Sequence, residues 1–123
     1  MSERNESQIL RDIRSALGKE PDLVLWRLSQ GGMVERSTSR WRAGLSVNGA
    51  ADLIGILEVS QNALIRPIGR FFALEVKGPR GQLRPEQELF LRLVQRRGGF
   101  AAVVRSVDEA RAALERARKG ESG

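Results

Sequence analysis

The tripeptide Glu75-Val76-Lys77 places a carboxylate and an ammonium two residues apart at the end of an apolar segment. Residues two apart in a strand share one face of the sheet, so Glu75 and Lys77 project together and Val76 points to the opposite layer. Both charges are costly to remove from water unless something uses them. The ordinary alternative is a cross-strand charge pair on a solvated sheet face, because this spacing is frequent in unrelated strands.

A second carboxylate, Asp52, begins another apolar segment directly after the small residues 48–51. The short connection between the two segments favours a hairpin, which would bring Asp52 near Glu75. Two carboxylates so close repel each other unless a cation bridges them, and a site built from oxygen ligands suits Mg²⁺ or Mn²⁺. The alternative is that Asp52 only caps the start of its own strand.

Three missing residue types narrow the chemistry further. The 123 residues include no histidine, no cysteine and no tyrosine. The usual zinc ligands and the commonest general base are therefore excluded. Catalysis by this chain would rest on carboxylates, lysine, arginine, hydroxyls or a hard cation held by oxygen atoms.

The chain is basic, with 21 lysine and arginine residues against 15 acidic ones and a net charge of +6. This balance predicts a polyanionic partner such as DNA, because each neutralised phosphate releases condensed counterions. The alternative is that the charge only keeps a small protein soluble. Of the three lysines, only Lys77 lies inside an apolar run.

An arginine-rich loop supplies candidate nucleic-acid contacts. Interleaved arginine and tryptophan suit phosphate binding combined with stacking on an unpaired base. A solvated loop with its tryptophan packed into the core fits the same pattern equally well. The residues concerned are Arg36, Arg40, Trp41 and Arg42.

The spacing of apolar residues predicts the element order α, β, loop, β, β, α, β, α, with room in the loop for one more strand. Helices are expected over residues 6–17, over 85–97 with Pro85 in the first turn, and after Ser106, which forms a capping box with Glu109. Strands are expected at 23–28, 52–59, 70–77 and 100–104. On the middle helix, the residues expected to face inward are Leu89, Leu93 and Val94.

The connections between these elements predict the fold class. Adjacent strands with short links favour antiparallel pairing, and the strand–helix–strand passage from residue 70 to 104 favours one parallel crossover. The expectation is one α/β domain over residues 1–123, a mixed sheet flanked by helices, with a short disordered tail. No apolar stretch approaches the ~20 residues that cross a bilayer, and the first residues lack a signal-peptide core. The expected location is the cytoplasm, with no membrane partner.

The candidate site resembles a known nuclease signature. Asp52 followed by Glu75-Val76-Lys77 is similar to the PD-(D/E)xK pattern, and the whole chain resembles the stand-alone VRR-NUC (virus-type replication-repair nuclease) domains of phages and bacteria. The stretches that carry this resemblance are ESQI, NGAADLIGIL and GRFFALEVKGPRGQLRPEQELFLRLVQRRGGFAAVVRSVDEA. Their order along nearly the whole chain is far more specific than Glu-x-Lys alone.

The resemblance implies a restriction-endonuclease-like core and assigns roles to its central residues. Asp52 and Glu75 would bind the divalent cation, Mg²⁺ or Mn²⁺, with the Val76 carbonyl as a backbone ligand. Lys77 would orient the attacking water or offset charge on the phosphate. Gln87 matches a polar residue that lies near the metal in the family, where it could contact a phosphate; the alternative is a surface residue in the first turn of its helix.

The family's acidic cluster is completed by a glutamate on the first helix, which Glu6 in ESQI matches, with Glu3 the weaker candidate. Glu6 precedes Ile9 and Ile13 by one and two helical turns, so we expect it on their inward side. The alternative is a solvated glutamate at a helix start. One departure from the pattern is Arg84, which stands where the family tends to have a capping Ser or Thr.

Together these features predict a metal-dependent DNA endonuclease, acting as a homodimer with a preference for branched DNA such as four-way junctions, in a bacterial or phage-infected cell. One alternative is a catalytically inactive nucleic-acid-binding module that kept the fold. Another is a restriction-type or defence nuclease working with other subunits. Carboxylates facing phosphate argue against the inactive module, because a pure binder gains nothing from them.

Overall fold

The computed structural model describes residues 4–28, 49–60 and 66–123, which form three helices and four strands. The elements are α1 (Glu6–Leu17), β1 (Leu23–Arg27), β2 (Leu53–Val59), β3 (Ile68–Val76), α2 (Pro85–Arg96), β4 (Phe100–Val104) and α3 (Val107–Arg118). They follow the predicted order, with strand ends differing by one or two residues. Asp52 lies just before β2, and Lys77 lies just after β3.

The four strands form one mixed sheet in the order β1-β2-β3-β4. The pairs β1–β2 and β2–β3 are antiparallel, and β3 pairs with β4 in parallel across the α2 crossover. This confirms the predicted single α/β domain and its single parallel connection. The sheet order also places β2, which Asp52 immediately precedes, next to β3, which contains Glu75.

One face of the sheet is covered by α1 and α3. The main core lies between the sheet and these two helices. The apolar side chains that β2 and β3 contribute come from alternate positions, as the pleat requires. Phe72 of β3 stacks on Phe100 of β4 with ring centroids 5.4 Å apart. The fully buried members contributed by β2, β3 and β4 are Leu53, Leu57, Phe72, Leu74, Val76, Phe100 and Val104.

The other face of the sheet is covered by α2 where it meets β3 and β4. The side chains that α2 buries are Gln87, Leu91 and Val94. The prediction for Val94 is confirmed. Those for Leu89 and Leu93 are wrong, since Leu89 is 66% exposed to solvent and Leu93 is 50% exposed. The face set by positions 87, 91 and 94 follows the i, i+4, i+7 spacing of a helix and turns both leucines outward.

The same face of the sheet carries exposed apolar side chains on β1, β2 and β3. In the strand register Val24 pairs with Ile56, which pairs with Phe71, and Trp26 pairs with the partly buried Ile54. Val24, Trp26, Ile56 and Phe71 are all exposed. We refer to Val24, Trp26, Ile56 and Phe71 as the apolar sheet surface.

The ends of α1 and α3 are capped by side chains. Asn5 Oδ1 accepts from the Gln8 amide, and Gln8 Oε1 accepts from the Asn5 amide, a reciprocal capping box. Ser106 Oγ accepts from the Glu109 amide, as predicted. Glu109 Oε1 accepts from the Arg105 amide instead of that of Ser106, so half of the expected box is present.

The C-terminal residues contact the sheet next to β4. The carbonyl oxygen of Ser122 accepts a hydrogen bond from the Ala101 amide at 3.0 Å. This contact covers part of the outer edge of β4, whose amides would otherwise lack strand partners. No helix in the described ranges is long and apolar enough to cross a membrane.

Candidate active site

The register of the β2–β3 hairpin brings Asp52 opposite Glu75. Leu53 pairs with Leu74, so the next residue outward on each strand extends the ladder to Asp52 and Glu75. Asp52 Oδ2 accepts a hydrogen bond from the Val76 amide at 2.9 Å. The Asp52 carboxylate is therefore fixed against the end of β3, which excludes a purely local cap at the start of β2.

The site residues are unusual in their burial. Of the described residues, the buried polar or charged ones are Asp52, Glu75, Lys77 and Gln87, which are 6%, 2%, 8% and 3% exposed. Charged side chains are almost never this deeply buried unless they are paired or bind an ion. A solvated cross-strand pair, the ordinary alternative for Glu75 and Lys77, is therefore excluded.

The two oxygens of Glu75 have different surroundings. Oε2 accepts a hydrogen bond from Gln87 Nε2 at 3.2 Å and lies 3.9 Å from Lys77 Nζ. Oε1 is buried and has no hydrogen-bond partner among the described residues. A buried carboxylate oxygen without a donor is costly, which indicates that something other than the described residues satisfies it.

Burial, together with the neighbouring Asp52 carboxylate, raises the pKa of Glu75 to about 9. Lys77 opposes this rise in pKa, whereas the negative charge of Glu6 adds to it. Without a cation, the stable state of the pair at neutral pH holds a proton on Glu75. A divalent cation offers the alternative, because its charge stabilises both ionised carboxylates.

Gln87 joins the site to the start of α2. Its Oε1 accepts from the Arg84 amide at 2.9 Å, while its Nε2 donates to Glu75. The Arg84 side chain makes no capping hydrogen bond, as expected for this departure from the pattern. Gln87 therefore holds Glu75 in place and caps its own helix, and the alternative of a surface first-turn residue is wrong.

The backbone of Lys77 continues the hydrogen bonding between β3 and β4, and the turn that follows packs on its side chain. Its amide donates to the Val104 carbonyl at 3.1 Å, one step beyond the last residue of β3. A Cβ atom added to Gly81 would lie 3.2 Å from Lys77 Cδ, so the turn packs directly on the lysine stem. A side chain at this position would require the Lys77 stem to shift by a few tenths of an ångström.

Glu6 lies at the edge of the site. As the first residue of α1 it is exposed, so it does not share the buried side of Ile9 and Ile13. Its Cβ is 3.8 Å from where a Cβ on Gly78 would be, and its charge acts on Glu75. No group of three or more metal-binding side chains is gathered in the part of the chain that the structure describes. The described site thus rests on two carboxylates.

The segment that leads into Asp52 is tightly packed, which the sequence did not indicate. Gly49 has φ +80°, and a Cβ there would lie 2.3 Å from the Glu86 carbonyl oxygen in the first turn of α2. Glycine meets both demands, the left-handed backbone and the close approach.

The nucleic-acid contacts predicted from the sequence, at Arg36, Arg40, Trp41 and Arg42, lie outside the described residues.

Comparison with known proteins gives a consistent result. The model of the VRR-NUC domain matches residues 3–108. A solved structure titled "VRR_NUC domain protein" superposes with a TM-score of 0.60 at 11% sequence identity, covering 99% of this chain and 94% of the other. That likeness shows a shared fold. A search of curated proteins finds no match. Because the family model spans most of the chain and the site lies within the match, the chain belongs to the VRR-NUC domain family, whose function is of the nuclease type.

Proposed function

We propose that this protein is a Mg²⁺- or Mn²⁺-dependent DNA endonuclease with a PD-(D/E)xK active site. The observation that carries the proposal is the buried Glu75 Oε1, which has no donor among the described residues. Glu75 also interacts with a second carboxylate, Asp52. A purely structural pair would be satisfied by protein groups. A carboxylate pair beside a buried lysine fits metal-assisted cleavage of a phosphodiester.

The residues present fit a hard divalent cation. Asp52 and Glu75 supply oxygen atoms, and the Val76 carbonyl is an additional candidate. Mg²⁺ usually keeps several waters and needs only one or two carboxylates besides substrate phosphates. A third protein carboxylate is therefore not required, although Glu6 is close enough to influence the charge of the site.

The bound cation would polarise the scissile phosphate and lower the pKa of a water molecule. The chain's own residues do the rest. The Val76 amide and the Gln87 amide nitrogen orient the two carboxylates. Lys77 directs its ammonium to the same face and offsets charge on the phosphate or orients the attacking water.

The substrate and assembly follow from charge and surface. A net charge of +6 favours DNA, and we propose a preference for branched structures, with Arg36, Arg40, Trp41 and Arg42 contacting the strand. The proposed location is the cytoplasm. We also propose a homodimer, which the apolar sheet surface supports, because exposed apolar patches often mark protein contacts.

The test of the proposed function is cleavage of labelled duplex, single-stranded and four-way-junction DNA by the purified protein. We expect internal cuts with Mg²⁺ or Mn²⁺ and none with EDTA, with the junction cut fastest. Asp52→Asn should abolish cleavage yet leave DNA binding intact, because the change removes a negative charge facing the phosphates. Metal-independent cleavage, or full activity of folded Asp52→Asn protein, would contradict the proposal.

The homodimer is tested at Ile56, in the middle of the apolar sheet surface. We expect Ile56→Glu to convert a dimer into a monomer in sedimentation velocity experiments, because a charge desolvated in an interface is costly. The melting temperature should change little under conditions where both proteins are monomeric, since Ile56 is 47% exposed. A wild-type protein that is monomeric at high micromolar concentration would contradict the dimer.

A further inference from the structure

Arg105 links the end of β4 to the turn that follows the catalytic lysine. Its Nη1 donates a hydrogen bond to the Gly78 carbonyl at 2.7 Å. The two residues are 27 positions apart in the chain. The guanidinium is partly buried, which makes a charge-assisted bond to a carbonyl stronger than it would be in water.

The Gly78 carbonyl is the centre of this turn. It also accepts from the Gly81 amide at 3.1 Å, which closes residues 78–81 into a turn. Gly81 packs on the stem of Lys77, and Gly78 packs against the backbone and Cβ of Glu6. Movement of the turn would therefore be transmitted to Lys77 and to the start of α1.

One ladder hydrogen bond lies at the base of this turn. The last ladder hydrogen bond between β3 and the β4 segment runs from the Lys77 amide to the Val104 carbonyl. Arg105 follows Val104 directly and provides the next link across the same two segments. Its own backbone is fixed, because its amide donates to Glu109 Oε1 at the capped start of α3.

We propose that Arg105 is a positioning residue for the proposed nuclease reaction, which holds the 78–81 turn and thereby fixes the Lys77 ammonium beside Glu75. This inference rests on the proposed function for its kinetic consequence. Its structural part, the fixing of the turn, is independent of cleavage. A guanidinium near a nuclease site can instead bind DNA phosphate, and the experiment separates the two roles.

The test compares Arg105→Ala, Arg105→Lys and the control Arg111→Ala, which removes one charge from the exposed side of α3. For Arg105→Ala we expect kcat for DNA cleavage to fall about tenfold or more, because small displacements of catalytic groups are costly. DNA affinity and its salt dependence should match those of Arg111→Ala. Arg105→Lys, which keeps a donor, should recover part of kcat.

Hydrogen exchange gives a readout that needs no cleavage. In Arg105→Ala the amides of Lys77 and Gly81 should exchange faster than in wild type, while amides in the middle of β3 remain protected. If the wild type does not cleave DNA, the proposed function fails and this measurement still decides the role of Arg105. Should Arg105→Ala not fold, Arg105→Lys carries the same comparison with a smaller expected effect.

Two results would overturn the inference. One is wild-type kcat and unchanged exchange at Lys77 and Gly81 in folded Arg105→Ala protein. The other is a loss of DNA affinity with a salt slope smaller by about one, at unchanged kcat, which identifies a phosphate contact.

Discussion

Glu75→Gln is expected to abolish DNA cleavage and, at the same time, to raise the melting temperature of the metal-free protein at neutral pH. The carboxylate is buried beside Asp52, and burial raises its pKa to about 9. Glutamine keeps the shape and the donor of the protonated carboxyl, but it takes up no proton when the chain folds. The change therefore removes a metal ligand and also the free-energy cost of protonating Glu75 at neutral pH.

The pH dependence of stability follows from the direction of this shift. The pKa of Glu75 is about 9 in the folded state and near the ordinary 4.5 in the unfolded state. Between these values the folded protein holds a proton that the unfolded chain releases, so the contribution of Glu75 to stability falls as pH rises. The full contribution is present below about pH 4.5 and is lost by about pH 9.

Thermal melts of metal-free protein from pH 5 to 9 measure this effect. We expect wild type to lose stability relative to Glu75→Gln across the range, with a difference at pH 8 on the order of 2 kcal/mol or about 5–10 °C. Exposed Glu58 on β2 provides the matched control, since Glu58→Gln should follow wild type. Equal melting curves for Glu75→Gln and wild type would contradict the raised pKa.

Added Mn²⁺ should reverse the order of stability. A cation bound to both carboxylates requires Glu75 to ionise, so binding should release close to one proton near pH 7. Calorimetry in two buffers of different ionisation enthalpy measures this release. The Glu75→Gln protein should show neither stabilisation by Mn²⁺ nor proton release. Retained cleavage by folded Glu75→Gln would contradict its role as a ligand.

The centre of the site could be predicted from the sequence because it depends on local periodicity. The alternation of β3 places Glu75 and Lys77 on one face, and the short link between the strands places Asp52 across from Glu75. Neither feature requires knowledge of distant packing. The burial of these charges needed the structure, since identical spacing on a solvated face would look the same in sequence.

The orientation of α2 could not be predicted from its apolar residues. Residues 89–91, 93 and 94 are all apolar, so the sequence marks no single inward side. Gln87 faces inward because its side-chain amide donates a hydrogen bond to Glu75. Leu91 and Val94, about one and two turns further along α2, therefore lie on the same buried side. A polar residue thus occupies a buried position that a purely hydrophobic pattern would assign to the surface.

Contacts between distant segments account for the other differences. Glu6 matches the family pattern in sequence but lies on the exposed start of α1, because its neighbours at that point are the Gly78 turn and solvent. Arg105 and Gly49 act across 27 and 37 residues, on Gly78 and on the carbonyl of Glu86. Local propensity carries no information about such pairs.

Lys77→Ala is expected to lower kcat for DNA cleavage by about 100-fold or more while leaving divalent-metal binding intact. The ammonium is buried, 3.9 Å from Glu75 Oε2, on the face that carries both carboxylates. In a water-poor site a charge aimed at the phosphate contributes far more than it would in solvent. Lysine cannot bind a cation, so its loss should separate catalysis from metal affinity.

Single-turnover cleavage and Mn²⁺ titration measure the two properties on the same protein. Lys119→Ala is the matched control, because it removes the same charge from an exposed position after α3 and should keep wild-type kcat. If Lys77 served only as a structural partner of Glu75, its loss would destabilise the fold and leave the kcat of the folded fraction unchanged. Loss of kcat with Mn²⁺ affinity preserved is the outcome that a structural role does not produce, because the ion pair would then matter only through folding.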